Sequence, residues 1–318
     1  MSGQAVSGEQ GSGRPSTPSL TALFLAAGFG RRYGGLKQLD PFGPSGATLV
    51  DYSLYDAWRS GFGRAVFVIR PEMATEFERT VRRRYQRRME IVAAFQRLND
   101  LPPAHGVPAG RTRPWGTAHA VLSARDQLTG GFVVLNADDK YGREALSAAA
   151  EFLRCANPAS NRHAVLGFRL DHTLSPVGGV NRAVLEADGD GVLRRVTEIT
   201  GIAPSAHGLR GQTVAGERLL AADAIVSMNL WALGPPILPP LTRAFDRFLR
   251  TDPGAEAEYQ LPEGIQDAVE RGEASVQVLP TGSRWCGVTY AGDRDWVRAV
   301  LAEETRLGLY PDVLWDEA

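Results

Sequence analysis

The chain has 318 residues, 43% hydrophobic and 22% charged, with 35 Lys and Arg against 36 Asp and Glu. That length supports one enlarged domain or two intimately joined ones, and the composition excludes a disordered or fibrous protein. The near-cancelling charge gives no long-range attraction for nucleic acid or an anionic membrane, so any anion site must be local.

Residues 1–19 are rich in Gly and Ser and lack an apolar block, which predicts a disordered lead and not a signal peptide. No apolar run approaches the ~20 residues needed to span a bilayer. Cys155 and Cys286 are the only cysteines. They cannot build a disulfide framework, and a reducing cytoplasm is the expected location.

The apolar run 20–27 predicts a strand that ends in a glycine cluster, and 49–58 repeats apolar residues at helical spacing. Strand 65–69, an Arg-rich helix 72–89 and strand 91–95 continue the alternation, which predicts a parallel sheet. A polar loop over 97–113 is too long for a simple connector and is expected to be functional or mobile. Helix 116–128, strand 132–135 and helix 143–154 complete a nucleotide-binding half over 20–155. Strands at 164–170, 182–187 and 192–198, the last two joined by Asp188-Gly189-Asp190-Gly191, predict an antiparallel insert. A buried strand at 224–233, helices at 241–249 and 262–272, a strand at 276–279 and a helix at 295–307 fill the second half, 156–318, of the same continuous domain. The expected fold class is α/β, with a mixed, mainly parallel sheet flanked by helices and the small antiparallel insert.

Three constellations carry chemistry. After the first strand comes Leu25-Ala26-Ala27-Gly28-Phe29-Gly30-Arg31-Arg32, followed by Gly34, Gly35 and Lys37. Glycines let backbone N–H groups approach a polyphosphate, and Arg32 and Lys37 supply charge for a departing pyrophosphate. A structural strand-to-helix turn is the plainer alternative. The dinucleotide fingerprint fails because its third glycine falls at Tyr33, and the Walker pattern fails because Leu36 separates Gly35 from Lys37. Next, Trp115-Gly116-Thr117-Ala118-His119 opens a helix, offering free N–H groups and a hydroxyl; ordinary capping by Thr117 and a packed His119 are the alternatives. Last, Asn136-Ala137-Asp138-Asp139 puts two carboxylates where a central strand stops, and ligands of open α/β sheets lie outside such ends. Asp138 is the preferred ligand for Mg²⁺ and Asp139 the second choice, against a helix cap or exposed turn pair.

In order and content these motifs resemble the sugar-phosphate nucleotidyltransferase family over roughly residues 21–290. The resemblance implies transfer of a nucleotide from an NTP to a small phosphorylated acceptor, a sugar 1-phosphate above all, with Mg²⁺ as cofactor. It implies that Arg32 and Lys37 bind the triphosphate together with Ala27, Gly28 and Gly30, that Gly116 and Thr117 hold the nucleoside, and that Gln96 reads the base. Asp138 would bind the metal, with Asn229 in Ser227-Met228-Asn229 as second ligand or, equally, as a buried amide that satisfies its neighbours. Asn181, Arg182 and Glu198 would face the acceptor.

Two departures stand out. Five positions separate Arg32 from Lys37 with Leu36 before the lysine, a spacing similar to cytidylyltransferases of the molybdenum-cofactor kind, and Ile199 follows Glu198 where many relatives have a phosphate-binding lysine. A metal-dependent glycosyltransferase and a non-catalytic nucleotide sensor are the rival readings, and Lys37 and Asp138 argue against them. The arginines 82–84, 87 and 88 are read as a solvated helix face and not as a nucleic-acid site, and Trp285-Cys286 as packing.

Overall fold

A computed structural model describes residues 19–28, 40–103 and 105–316. The expected disordered lead, apart from Ser19, and the candidate residues Gly30, Arg32 and Lys37 lie outside the described residues. In chain order the elements are β1 (Leu20–Leu25), α1 (Leu49–Arg59), β2 (Phe62–Ile69), α2 (Ala74–Phe77), α3 (Arg83–Tyr85), β3 (Glu90–Phe95), α4 (Thr117–Ser123), β4 (Phe132–Asn136), β5 (Asp139–Lys140), α5 (Arg143–Cys155) and β6 (Arg162–Arg169). They continue as β7 (Val180–Ala187), β8 (Leu193–Ser205), β9 (Gly208–Thr213), β10 (Gly216–Leu220), β11 (Ile225–Leu233), α6 (Leu238–Arg250), α7 (Leu261–Glu270), β12 (Ser275–Thr281), β13 (Cys286–Gly287) and α8 (Asp293–Arg306).

Strands β3, β2, β1 and β4 run parallel in that order. Antiparallel β11 joins β4 to β6, which pairs in parallel with β12. Because side chains alternate along a strand, Ala22 and Phe24 enter one core with Val133 and Leu135, while Leu23 enters the other with Phe132 and Val134. Helices α1 and α5 cover the first face through Leu54 and Leu146, and α4, α6 and α7 cover the second through Val121, Phe245 and Ile265. Burial on both faces explains why these strands read as continuous apolar runs. Each fully buried large apolar side chain contributes about 1.5–3 kcal/mol.

Helix α1 starts at a reciprocal cap, in which Asp51 N–H donates to Thr48 Oγ1 (3.3 Å) and Thr48 N–H to Asp51 Oδ2 (2.7 Å). The Arg-rich helix predicted over 72–89 is instead broken, with a π-type stretch Glu78–Arg82 between α2 and α3. Its buried residues Phe77, Val81 and Tyr85 recur every fourth position, wider than the 3.6 of an α-helix, so a wider turn keeps them on one face. A second correction concerns 164–170, expected in the insert: β6 is a strand of the main sheet.

The antiparallel insert is β7, β8, β9 and β10, hung on β11 through Val226 opposite Val184 and Ser227 opposite Ala183. It occupies the same edge of β11 that β4 uses further along, from Trp231 to Leu233. The cleft opens where β4 has ended and β7 begins.

Candidate active site

The carboxyl ends of β1 and β4 adjoin, Ala137 N–H donating to Leu25 O at 3.2 Å. Ala27 and Gly28 follow the first of these strands and Asp138 the second. Ala27 is 7% exposed, and a Cβ on Gly28 would meet nothing within 4 Å among the described residues.

A cleft of ≈ 750 Å³ lies beyond these strand ends, and Thr117, Asp138, Asn181, Arg182, Glu198 and Asn229 all line it. Six candidates spread over more than a hundred positions of sequence thus share one cavity. Gln96 and Gly116 are outside the lining. Gln96 is buried, with Nε2 donating to Gly116 O (3.0 Å) and 3.1 Å from His119 Nδ1. His119 is packed, its Nε2 2.8 Å from Asp100 O.

Gly116 has φ +101°, and a Cβ there would stand 2.4 Å from the carbonyl oxygen of Tyr259, so the residue is glycine because α4 begins against that backbone. Thr117 does not cap its own helix. Its hydroxyl accepts from Leu261 N–H (2.8 Å) and donates to Gln260 Oε1 (2.9 Å), joining the start of α4 to the start of α7. The long loop before it is anchored by buried Arg111, whose guanidinium donates to the carbonyls of Gly254, Ala255, Ala257 and Pro114 and stacks on Trp115 with 3.5 Å to the ring centre. Nothing in the spacing of the loop marks Arg111 for this.

The floor of the cleft is a chain of oriented amides. Asn229 interrupts β11 with φ +63°, inside a bulge where Met228 to Leu230 oppose only Leu166 of β6. Trp231 Nε1–H donates to Asn229 Oδ1 (3.0 Å), Asn229 Nδ2 to Asn136 Oδ1 (2.9 Å), and Asn136 Nδ2 to Asp139 Oδ2 (2.8 Å). An indole N–H can only donate, so it sets which way both amides face. Buried Tyr141 ties the same elements, accepting from Asn136 N–H (2.9 Å) and donating to Met228 O (3.0 Å).

The two adjacent carboxylates differ. Asp138 is half-buried in the cleft wall, whereas Asp139 is 8% exposed and held by Asn136. Burial first, then the charge of Asp138, pushes the Asp139 carboxyl well above the usual range, with Asn136 and Arg182 among the groups pulling it back.

The insert supplies the opposite wall. Asn181 Oδ1 accepts from Gly201 N–H (2.9 Å), and Arg182 donates to Asn181 O (2.7 Å) and Thr173 O. Arg182 lies over Trp285, 4.7 Å from the ring centre. Trp285 therefore lines the cleft and supports its cation, which corrects the reading of this residue as packing alone; Cys286 is buried as expected.

No group of three or more His, Cys, Asp or Glu side chains among the described residues forms a metal cage. A divalent ion that binds through one or two carboxylates and completes its shell with substrate phosphates and water needs none, and Asp138 at the strand end fits it. Asn229 offers a single remaining lone pair on Oδ1, the other facing Trp231.

Residues 21–175 match the nucleotidyl transferase family. No curated protein matches the chain in sequence. Among solved structures, the inositol-1-phosphate CTP transferase from T. maritima is 12% identical with a TM-score of 0.57, covering 88% of this chain and 95% of that one. A UDP-glucose pyrophosphorylase complexed with UDP-glucose is 13% identical with a TM-score of 0.56, covering 89% and 98%. At these identities the likeness is one of fold. No helix among the described residues is long and apolar enough to cross a membrane.

Proposed function

Since residues 21–175 match the nucleotidyl transferase family, we propose that the chain transfers a nucleoside monophosphate from an NTP to a small sugar-phosphate acceptor and releases pyrophosphate. The observation that carries this reading is the single cleft in which Asp138, at the end of β4, faces Arg182 and Glu198 of the insert. A phosphate oxygen of the acceptor attacks the α-phosphorus, the new P–O bond forms as the bond to the β-phosphate oxygen breaks, and pyrophosphate carries away the electron pair. No covalent enzyme intermediate is needed.

Asp138 would hold Mg²⁺ against the triphosphate, with Asn229 as a weaker second donor. When bound, the ion supplies neutralisation of charge on the triphosphate and on the leaving pyrophosphate. Arg32 and Lys37 belong to the family's opening motif, together with Ala27, Gly28 and Gly30, and would add fixed positive charge on the leaving side. Thr117, which lines the cleft, would border the nucleoside, with Gln96 and Gly116 behind it, outside the lining and joined to each other by the bond from Gln96 Nε2 to Gly116 O. Asn181 and Arg182 would shape the acceptor wall, and Glu198 would accept hydrogen bonds from the acceptor. The fold likeness to a CTP-dependent and a UDP-sugar enzyme supports the reaction class and leaves the base open.

The deciding experiment is pyrophosphate release from each of five NTPs against a panel of sugar 1-phosphates, with and without EDTA. One NTP and acceptor pair giving EDTA-sensitive turnover is the expected result. NTP hydrolysis that ignores every acceptor, or NTP binding without turnover, would sink it.

A further inference from the structure

The turn that carries Asp138 is fastened from the side away from the cleft. Residues 137 and 138 turn out of β4, and 139 and 140 form β5, which pairs with β13 through Asp139 opposite Gly287 and Lys140 opposite Cys286. Buried Ser53 of α1 donates to Asp139 O at 2.6 Å. Consecutive strand residues face opposite sides, and accordingly Asp139 lines the cleft while Lys140 does not. Lys140 is instead 2% exposed, its Nζ donating to Glu304 Oε1 of α8 at 2.7 Å and lying 5.3 Å from the centre of the Tyr310 ring. The Tyr310 hydroxyl donates to Asp56 Oδ2 at 2.6 Å, and Asp56 is wholly buried within reach of the Lys140 charge.

A lysine is almost never fully buried unless paired, and a buried pair is a poor source of stability because two charges must leave water. A Leu or Met at position 140 would fill the same space without that cost. The pair differs from apolar filling in being directional. Helix α8 otherwise packs through Val297 and Leu301, contacts without a preferred direction, whereas the 2.7 Å bond holds only with Glu304 of that helix set at Lys140. The ammonium belongs to the residue two positions beyond Asp138, so a shift of α8 is felt at the turn.

We propose that Lys140 is a positioning residue for the metal end of the cleft: held by Glu304, it lets α8 fix the backbone from which Asp138 meets a divalent cation. The inference rests on the transfer reading above and adds to it a residue pair outside the cleft. Neither Lys140 nor Glu304 lines the cleft, so the pair acts through the placement of Asp138.

The full-length protein is titrated with Mn²⁺ alone, followed by water-proton relaxation, and the site at issue is the one lost in Asp138→Asn. Pyrophosphate release is measured against Mg²⁺ in parallel, with circular dichroism to confirm folding. Glu304→Leu removes the bond to α8 and leaves Lys140 near Asp56. It should weaken Mn²⁺ binding at that site and lower turnover, each by about 10- to 100-fold, the scale for losing a group that orients a metal ligand. Glu304→Gln still offers Nζ an acceptor oxygen and should stay close to the parent in both. A purely structural pair would reduce the number of Mn²⁺ sites per protein and not the affinity of those that remain. Lys140→Met should match Glu304→Leu, and the double variant should lose no more than Lys140→Met alone, because both act through one contact. The double variant, which leaves no ammonium in the core, stands in should Glu304→Leu not fold. Parental Mn²⁺ affinity in folded Glu304→Leu, a Glu304→Gln no better than it, additive losses in the double variant, or a parent without an Asp138-dependent Mn²⁺ site overturns the inference. Absence of turnover with every acceptor counts against transfer itself, and the Mn²⁺ affinities then still decide whether the pair positions Asp138.

Discussion

Asn229 Nδ2 donates to Asn136 Oδ1 at 2.9 Å, joining the bulge of β11 to the last residue of β4. The register Trp231 opposite Val134 places these two asparagines opposite each other where ladder pairing ends. The left-handed backbone of Asn229, a conformation tolerated by Gly and Asn, turns its amide between Trp231 and Asn136. Asn136 then holds Asp139, so the side-chain order at the strand end is set from the core outward.

Replacing Asn229 separates backbone from amide. Asn229→Gly retains the φ of +63° but leaves the buried Trp231 Nε1–H without its acceptor, so a loss of about 1–3 kcal/mol in stability is expected together with the loss of turnover. Asn229→Ala must also carry a left-handed alanine, costing about 1–2 kcal/mol more than glycine. Calorimetric melting alongside pyrophosphate release measures both. A glycine variant with parental turnover would make the amide structural only.

Gly116 is a stricter case. With φ +101° and a Cβ 2.4 Å from Tyr259 O, Gly116→Ala must displace the segment that holds α7. Several kcal/mol of destabilisation is expected, read as a large fall in the guanidinium midpoint, whereas Gly28→Ala, whose Cβ would meet nothing within 4 Å among the described residues, should leave stability almost unchanged.

The parallel core and the ends of its strands were legible because double-sided burial writes unbroken apolar runs such as 132–135, and because Asp138 stands just beyond that run. The hairpin β9–β10 was not. Its strands, with Arg210, Gln212, Glu217 and Arg218, lack an apolar alternation and are held by backbone pairing. The partners of Thr117 and Arg111 lie about 140 residues away, and no local pattern encodes such contacts. Trp285 was placed in the right region and given too small a role, since only the fold brings Arg182 over its ring.

Buried His163 should make stability fall on acidification. Burial lowers its pKa from 6.5 to about 4, so below pH 6.5 the unfolded chain takes up a proton that the native state refuses. The sign follows directly: stability is unaffected by this group above 6.5, declines from there to about 4, and levels off below. At pH 5 the loss is about 2 kcal/mol, from about 1.4 kcal/mol per unit. His163 Nδ1 accepts from Gly234 N–H (3.2 Å), and His163→Gln keeps an acceptor without titrating. Denaturant unfolding at pH 7.5 and 5.0 should show a smaller acid loss in the variant, and equal losses would contradict the assignment.

The adjacent carboxylates give the most direct test of the site. Both line the cleft, Asp138 half-buried and Asp139 buried, with Asp139 Oδ2 accepting from Asn136 Nδ2 at 2.8 Å. Asp138→Asn preserves shape and removes the charge that would face Mg²⁺, so a loss of about 10²–10³-fold in turnover is expected, the scale for removing one electrostatic stabiliser. The Mg²⁺ concentration for half-maximal rate should rise with it. Asp139→Asn still offers Asn136 an acceptor oxygen and removes a carboxyl whose ionisation burial opposes; it should lose less turnover and leave the Mg²⁺ requirement near that of the parent. Pyrophosphate-release rates across a Mg²⁺ titration, with circular dichroism to confirm folding, compare the two. Near-parental rates and metal dependence in Asp138→Asn, together with collapse in a folded Asp139→Asn, would move the metal to the inner carboxylate and require Asn136 to release it on binding.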